Sequence, residues 1–332
     1  MTTHDNLEPM DPREAFELFL DHKATECAKA TVRNYKYRMQ YFVQWCEEEG
    51  IDNLNELSGR DIQRYRLWRQ EEMTELNTLT LRNHLCSLRV FLQWCGSIEA
   101  VEPNLYDKIV IPKVGHGERK RDAILRTDTA KEILEYLSRY HFASVEHMAL
   151  SVFWETGLRI GAAISINRCD IDFDDESIHL RHRPREGTPL KNGLSGERPV
   201  AITPELAELL QEHIENCRHD VVDEHGREPL FTTREGRMHK NTLRKMIYRI
   251  TAPCFRDEDC PDCERETSKV CPEAVSPHAI RRGSITHFLT EGVPVEIVSD
   301  RMNVSRDVLD EHYDERTEEV KLEQRRGYLD TI

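Results

Sequence analysis

The stretch Ser276-Pro277-His278-Ala279-Ile280-Arg281 reads as a helix start, with serine as N-cap and proline at the first helical position. An i, i+3 spacing places His278 and Arg281 on one face. The first turn also offers unpaired backbone N–H groups and the positive end of the helix dipole, which favour a phosphate. Upstream, Glu155-Thr156-Gly157-Leu158-Arg159-Ile160 closes a helical stretch that begins near residue 143. Downstream, Gly292 breaks the chain, Pro294 starts a short helix, and Leu309-Asp310-Glu311-His312-Tyr313 follows. Two arginines, a histidine and a tyrosine hydroxyl, with no carboxylate cage for Mg²⁺, suit metal-free attack on a phosphodiester.

Around this core the chain reads as two domains, 1–110 and 125–332, joined by a linker over 111–124. The first is helical. Tyr35, Met39, Phe42, Val43 and Cys46 recur at helical spacing before a stop at Gly50, and similar stretches run over 61–73 and 80–95. Phe42-Val43-Gln44-Trp45-Cys46 echoes Phe91-Leu92-Gln93-Trp94-Cys95, two similar helix ends and not a repeat array. By composition, linker character begins at Pro103 and extends through Pro112, Gly115 and Gly117 to the charged run 118–122. The second domain is mixed. Thr127-Asp128 is expected to cap a helix, short strands are expected at 177–181 and 198–202, Thr203-Pro204 opens a helix, and 241–250 is helical. The fold class is mainly α with a small β-sheet.

With 332 residues the chain is long enough for two cores. No apolar run approaches the roughly 20 residues of a membrane span. The opening residues lack signal-peptide character, so a cytoplasmic location is expected. The net charge of −15 and 61 acidic residues are unusual for a nucleic-acid binder and also fit an ordinary acidic protein without a DNA partner. The acids are spread along the chain, and only 12 lysines accompany 34 arginines, a halophilic type of surface that resembles proteins from salt-rich cytoplasm. Two local basic clusters run against the overall charge: Arg237, Lys240, Arg244, Lys245 and Arg249, and the triplet Arg119-Lys120-Arg121.

Arginine stays protonated and grips phosphate bidentately, which suits Arg159 and Arg281 as clamps. A tyrosine hydroxyl, with a pKa of about 10, needs such a field and a nearby proton acceptor to attack at neutral pH. His278 can accept or hold that proton. The leaving oxygen needs a donor, and Lys191, in the polar loop between the two expected strands, is placed to supply one. Taken singly, each residue has an ordinary reading: an exposed helix arginine, a chance His-x-x-Arg, a solvated loop lysine, one tyrosine among 10. Their order along the chain raises the functional reading.

In that order the sequence resembles the tyrosine recombinase (phage integrase) family, its haloarchaeal integrase-like members in particular. Thr156-Gly157-Leu158-Arg159-Ile160 resembles the family's first-arginine motif, Lys191 falls at its hairpin lysine, and His278-Ala279-Ile280-Arg281 is similar to its His-x-x-Arg. Tyr313, 32 residues beyond Arg281, stands at the nucleophile, and Tyr328 lies too far on. The resemblance implies a helical core-binding (SAM-like) domain before an α+β catalytic domain. It further implies a clamp around double-stranded DNA, strand exchange within a homotetramer on DNA, and no cofactor for catalysis. Three positions depart from the family pattern. Ala162 and Ala163 stand where an acidic residue is usual, Arg282 follows the second arginine where histidine is frequent, and Val304 holds the usual His or Trp position. Valine cannot donate to a phosphate, so that contact is lost or moves to Asn303 or His312.

Cys254, Cys260, Cys263 and Cys271 lie within 18 residues and include a C-x-x-C. Four thiolates so spaced can close a structural zinc site; disulfides or free thiols in a long insertion are the alternative. The leading expectation is a site-specific DNA recombinase working through a 3′-phosphotyrosyl intermediate. Relaxation of DNA by a type IB topoisomerase uses similar residues. A catalytically weak or inactive integrase-like DNA-binding protein or regulator is the reading from another class.

Overall fold

The computed structural model describes residues 7–72, 77–113, 123–256, 258, 260, 271–314 and 316–329; side chains at 311, 312 and 327–329 are left aside. The chain forms two compact units, Met1–Arg121 and Asp122–Ile332.

The first unit is helical: α1 (Pro12–Glu26), α2 (Lys29–Glu49), α3 (Gly59–Glu71) and α4 (Thr78–Ser97). Helix α1 begins on Asp11, whose carboxylate accepts from the Arg13 and Glu14 amides, with Pro12 behind it. Helix α2 stops where Gly50 turns left-handed at φ 71°. The apolar faces meet in one core that includes Phe19, Phe42, Trp45, Tyr65, Leu88 and Phe91. Arg69 is buried here, its guanidinium 3.8 Å from the Tyr41 ring centre.

Linker character does not begin at Pro103. Leu105 and Ile109 are buried in the first core, and the carbonyls of Ile109 and Pro112 accept from Arg89 and Arg82 at 2.6 and 3.0 Å. Proline and charge suggested a connection, whereas the alternating Leu105, Ile109 and Ile111 bury and fasten the segment to 113. The basic triplet at 119–121 lies outside the described residues.

The second unit contains α5 (Thr127–Tyr140), α6 (Val145–Thr156), α7 (Ile160–Ser165), α8 (Pro204–Glu212), α9 (Lys240–Thr251), α10 (Pro277–Thr290), α11 (Val295–Met302), α12 (Arg306–His312) and α13 (Glu318–Leu329). Three short strands, β1 (Ile171–Asp172), β2 (Ser177–Leu180) and β3 (Arg198–Ala201), form an antiparallel sheet in sequence order. Ile178 opposes Val200, both buried, so the sheet faces the helical core on that side. A two-stranded ribbon, β4 (Thr232–Thr233) and β5 (Gly236–Arg237), completes the strands described. Helix α5 starts one residue earlier than its sequence suggests: Arg126 is the N-cap, with no side-chain cap, and Thr127 is already helical.

Helices α6 and α10 pack at the centre of this unit. Gly283 on α10 lies against the chain at Leu125, where a Cβ would meet the Leu125 carbonyl oxygen at 2.0 Å and Trp154 Cζ3 at 3.1 Å. Ser284 beside it donates to the Trp154 carbonyl at 2.5 Å. Backbone cannot yield as a flexible side chain does. Gly283→Ala is therefore expected to destabilise the unit by about 1–3 kcal/mol or more, a drop in melting temperature of at least about 2 °C in thermal denaturation. An unchanged melting temperature would show that the Leu125 segment moves aside freely.

Candidate active site

Gly157 makes the turn that delivers the first arginine. Helix α6 ends there with φ 59°, ψ 25°, a left-handed conformation, and a Cβ would lie 2.6 Å from Met302 Sδ. The turn buries Leu158 and leaves Arg159 as N-cap of α7 in extended conformation.

Arg281 reaches the same turn from α10, whose Ser276 N-cap accepts from the Ala279 amide at 3.3 Å. Its Nη1 donates to the Gly157 carbonyl at 2.5 Å and its Nη2 to the Met302 carbonyl at 2.8 Å. The residue is 1% exposed, and Nε is buried with no hydrogen-bond partner among the described residues. Burial first, and then the charge of Arg159, lower the Arg281 pKa to about 10, while Tyr313 pulls it upward through its charge and a side-chain hydrogen bond. Arg281 therefore remains a cation at neutral pH.

Tyr313 sits at the end of α12. Its ring centre is 5.7 Å from Arg281 Cζ and 5.7 Å from the His278 ring centre. The Tyr313 carbonyl accepts from Thr286 Oγ1 at 2.8 Å, and the residue is 5% exposed in a cluster with Ile285, Leu289, Val298, Met302, Val304 and Leu309. His278 meets solvent, yet enough protein surrounds it to remove part of its hydration. That desolvation, followed by the charges of Arg281, Arg282, Arg159 and Lys191, holds its pKa below the ordinary value of 6.5. With the ring open on one side, the four cations are the part of this effect that a bound anion would cancel.

Lys191 is exposed in the connection between β2 and β3. The loop is fastened at several points: Leu190 N donates to His182 Nδ1 at 3.0 Å, and Asn192 Nδ2 to Asn303 Oδ1 at 2.6 Å. The fold thus gathers Arg159, Lys191, His278, Arg281 and Tyr313 around one place from four separate stretches of chain.

Several functional features were not legible in the sequence. Arg198, at the start of β3, donates through Nε to the Arg301 carbonyl at 2.8 Å and through Nη1 to the Gly196 carbonyl at 3.0 Å. Burial, then Arg281 and Arg159, lower its pKa to about 10, so it is a third arginine within the field of the other two. Asn303 is left-handed at φ 48° and holds the lysine loop by accepting from Asn192 and donating to the Ser195 carbonyl at 3.0 Å. Its amide is thereby engaged within the protein. Val304 is buried among apolar side chains, and the His312 side chain lies outside the described residues. Ala163 is fully buried in the main core, and Ala162 packs against it.

The basic stretch at 237–249 is less free than its sequence suggests. Arg237 is tied to Asp223 at 2.7 Å and to the Ile164 carbonyl at 2.6 Å, and Arg249 pairs with Glu146. Lys240, Arg244 and Lys245 stay exposed. Lys240 lies beside the Arg159 helix, with Nζ 3.4 Å from where a Gly161 Cβ would stand. Of the four cysteines, Cys263 lies outside the described residues. The Cys260 and Cys271 sulfurs are 3.5 Å apart, and among the described residues no three metal-binding side chains gather in one place. No described helix is long and apolar enough to cross a membrane.

This chain belongs to the phage integrase family: residues 123–318 match that family and residues 16–96 match the phage integrase N-terminal SAM-like domain. It is 26% identical over 149 residues to tyrosine recombinase XerC of Chlamydia caviae, covering 45% of this chain and 40% of that protein. It is 21% identical over 205 residues to a probable integrase/recombinase protein of Methanocaldococcus jannaschii, covering 60% of this chain and 55% of that protein. The chain thus spans less than two thirds of either relative. In fold it is similar to the Tn1549 transposon integrase, solved in complex with a circular intermediate DNA, with a TM-score of 0.67 at 16% identity over 96% of this chain and 99% of that one.

The cation cluster has a measurable consequence for His278. Its folded-state pKa is depressed, so below the ordinary pKa the unfolded chain binds a proton that the folded chain refuses. Stability from this residue is therefore lost as pH falls through 6.5 toward the lower folded value. In an NMR titration of the imidazole, the midpoint is expected below 6.5 and should rise in Arg159→Ala. A wild-type midpoint at or above 6.5 would show that the cations do not converge on this ring.

Proposed function

We propose that this protein is a site-specific recombinase that cuts and rejoins double-stranded DNA through Tyr313. The observation that carries the reading is the position of the Tyr313 phenol against both His278 and Arg281. Arg159 and Arg281 hold the non-bridging oxygens of the scissile phosphate and stabilise the charge that builds on them. His278, kept neutral by its surroundings, is able to take the phenolic proton. The phenolate oxygen bonds to phosphorus, the P–O5′ bond breaks, and its electron pair passes to O5′, which takes a proton from Lys191. A 5′-hydroxyl of a second strand reverses these steps. The phosphotyrosyl bond conserves the energy of the broken one, so the cycle needs no nucleotide and no catalytic metal.

In this reading the exposed Lys240, Arg244 and Lys245 continue the phosphate-binding face beyond Arg159, and strand exchange takes place in a homotetramer on DNA inside the cytoplasm. The acidic, lysine-poor composition supports a halophilic, haloarchaeal-type setting. The insertion before α10 carries a structural zinc on Cys254, Cys260, Cys263 and Cys271. Its support is the 3.5 Å separation of Cys260 and Cys271, near the roughly 3.8 Å expected between sulfurs on one tetrahedral zinc. That metal would staple the insertion and stay out of the chemistry.

Val304 and Ala162 keep a second reading open, an integrase-like protein that binds DNA without cutting it. A nicked suicide substrate, whose released strand diffuses away, separates the two. Wild-type protein is expected to become covalently attached to DNA and Tyr313→Phe is not, with salt scanned because phosphate contacts weaken steeply with it. No adduct at any salt would favour the binding protein. For the zinc, purified protein should contain one equivalent, lost in Cys260→Ser and Cys263→Ser; folded protein free of metal would refute the site.

A further inference from the structure

We infer that Asn303, with Asn192 across from it, is the latch that positions Lys191 for proton transfer, a role that rests on the recombinase reading above. Lys191 has no hydrogen-bond or ion-pair partner of its own among the described residues, so its position is set by the loop that carries it. That loop meets the end of α11 at a few defined points. Asn192 Nδ2, on the residue next to Lys191, donates to Asn303 Oδ1 at 2.6 Å, and Asn303 Nδ2 donates to the Ser195 carbonyl at 3.0 Å. A carbonyl can only accept, so the second bond fixes which way the Asn303 amide faces and leaves its oxygen for Asn192. Ser195 Oγ closes the loop on itself by donating to the Asn192 carbonyl at 2.6 Å.

The fit is close as well as polar. Gly196 is buried beneath the loop, and a Cβ there would stand 3.6 Å from Asn303 Nδ2 and 3.2 Å from Leu190 Cβ. Arg198 ties the loop's exit to α11 through the Gly196 and Arg301 carbonyls. The residue before Asn303 is Met302, whose carbonyl accepts from Arg281. One peptide unit therefore separates the anchor of the phosphate-clamping arginine from the latch of the lysine loop. Asparagine suits the position twice over: it tolerates the left-handed φ of 48° and supplies both a donor and an acceptor. The residue adjoining the expected phosphate contact thus serves the leaving group in this chain.

The test exploits the leaving atom. With an oxygen at the 5′ bridging position, the departing electron pair needs a proton. With sulfur there, it leaves as a stable thiolate and needs none. Cleavage of oxygen and sulfur suicide substrates is to be measured for wild type, Lys191→Ala, Asn303→Gly and Asn192→Ala. Asn303→Gly removes the amide while keeping the left-handed turn unstrained, and Asn192→Ala breaks the same latch from an exposed loop position. Lys191→Ala should cut the oxygen substrate about 10²-fold or more slowly and recover on sulfur. Both latch variants should lose at least about tenfold on oxygen and recover to near the wild-type rate on sulfur. Wild-type speed on oxygen, or an equal loss on both substrates, would overturn the inference. If sulfur rescues Lys191→Ala but neither latch variant, the latch alone is wrong. If sulfur fails to rescue Lys191→Ala, the proton-donor assignment falls and takes the latch with it. Wild type that forms no adduct on either substrate refutes the recombinase reading itself.

Discussion

The second unit depends on the buried guanidinium of Arg281. Buried within this unit, it holds the Gly157 carbonyl with one nitrogen and the Met302 carbonyl with another. The first carbonyl belongs to the turn that presents Arg159, and the second to the end of α11. Carbonyl oxygens give a cation partial charge without neutralising it, so Arg281 stays positive while surrounded by protein. Burial and then the charge of Arg159 pull its pKa down to about 10, Tyr313 opposes them, and the group stays charged at neutral pH. With both terminal nitrogens bonded in this way, the orientation of the guanidinium is set by the fold itself.

Residues 301–303 gather the remaining parts. The Arg301 side chain donates to the Ala201 carbonyl at 2.8 Å and the Glu155 carbonyl at 3.1 Å, joining the strand after the lysine loop to the helix before Arg159. The Arg301 carbonyl receives Arg198, Met302 fills the space left by Gly157 and bonds Arg281, and Asn303 takes the lysine loop. Three consecutive residues thus connect three stretches that lie far apart in sequence: 155–157, 192–201 and the helix of Arg281. Met302, Val304 and Tyr313 belong to a single apolar cluster, so the packing that seats this hub also seats the tyrosine.

The departures from the family pattern acquire physical content in this setting. Val304 replaces a polar side chain with one that completes the apolar cluster around Tyr313. Asn303 accepts from Asn192 and gives one amide hydrogen to the Ser195 carbonyl, so the lysine loop sets its orientation. Around this site the positive charge is concentrated in arginines: burial first, and then repulsion from neighbouring arginines, lowers the pKa values of Arg198 and Arg281. An anion placed among them would relieve that repulsion, whereas the acidic surface elsewhere would repel it.

Local sequence alone determined most of the helix starts, the glycine stops and the functional groups of the five side chains, because caps, periodicity and functional groups are properties of short stretches; the start of α5, which has no side-chain cap, is the exception. Ser276-Pro277 fixed the start of α10, Gly157 and Gly50 marked turns, and the alternation at 177–180 and 198–201 announced the paired strands. Short-range signals misled where long-range contacts decide. Residues 103–113 look like a linker and are fastened to the first core by Arg82 and Arg89, and Arg237 looks like a free cation and is held by Asp223. Nothing in Gly-Glu-Arg-Pro or Met-Asn-Val reveals that Arg198 and Asn303 would hold the lysine loop. Their partners stand more than a hundred residues away along the chain, and only the packing of α11 against that loop brings a donor to each acceptor.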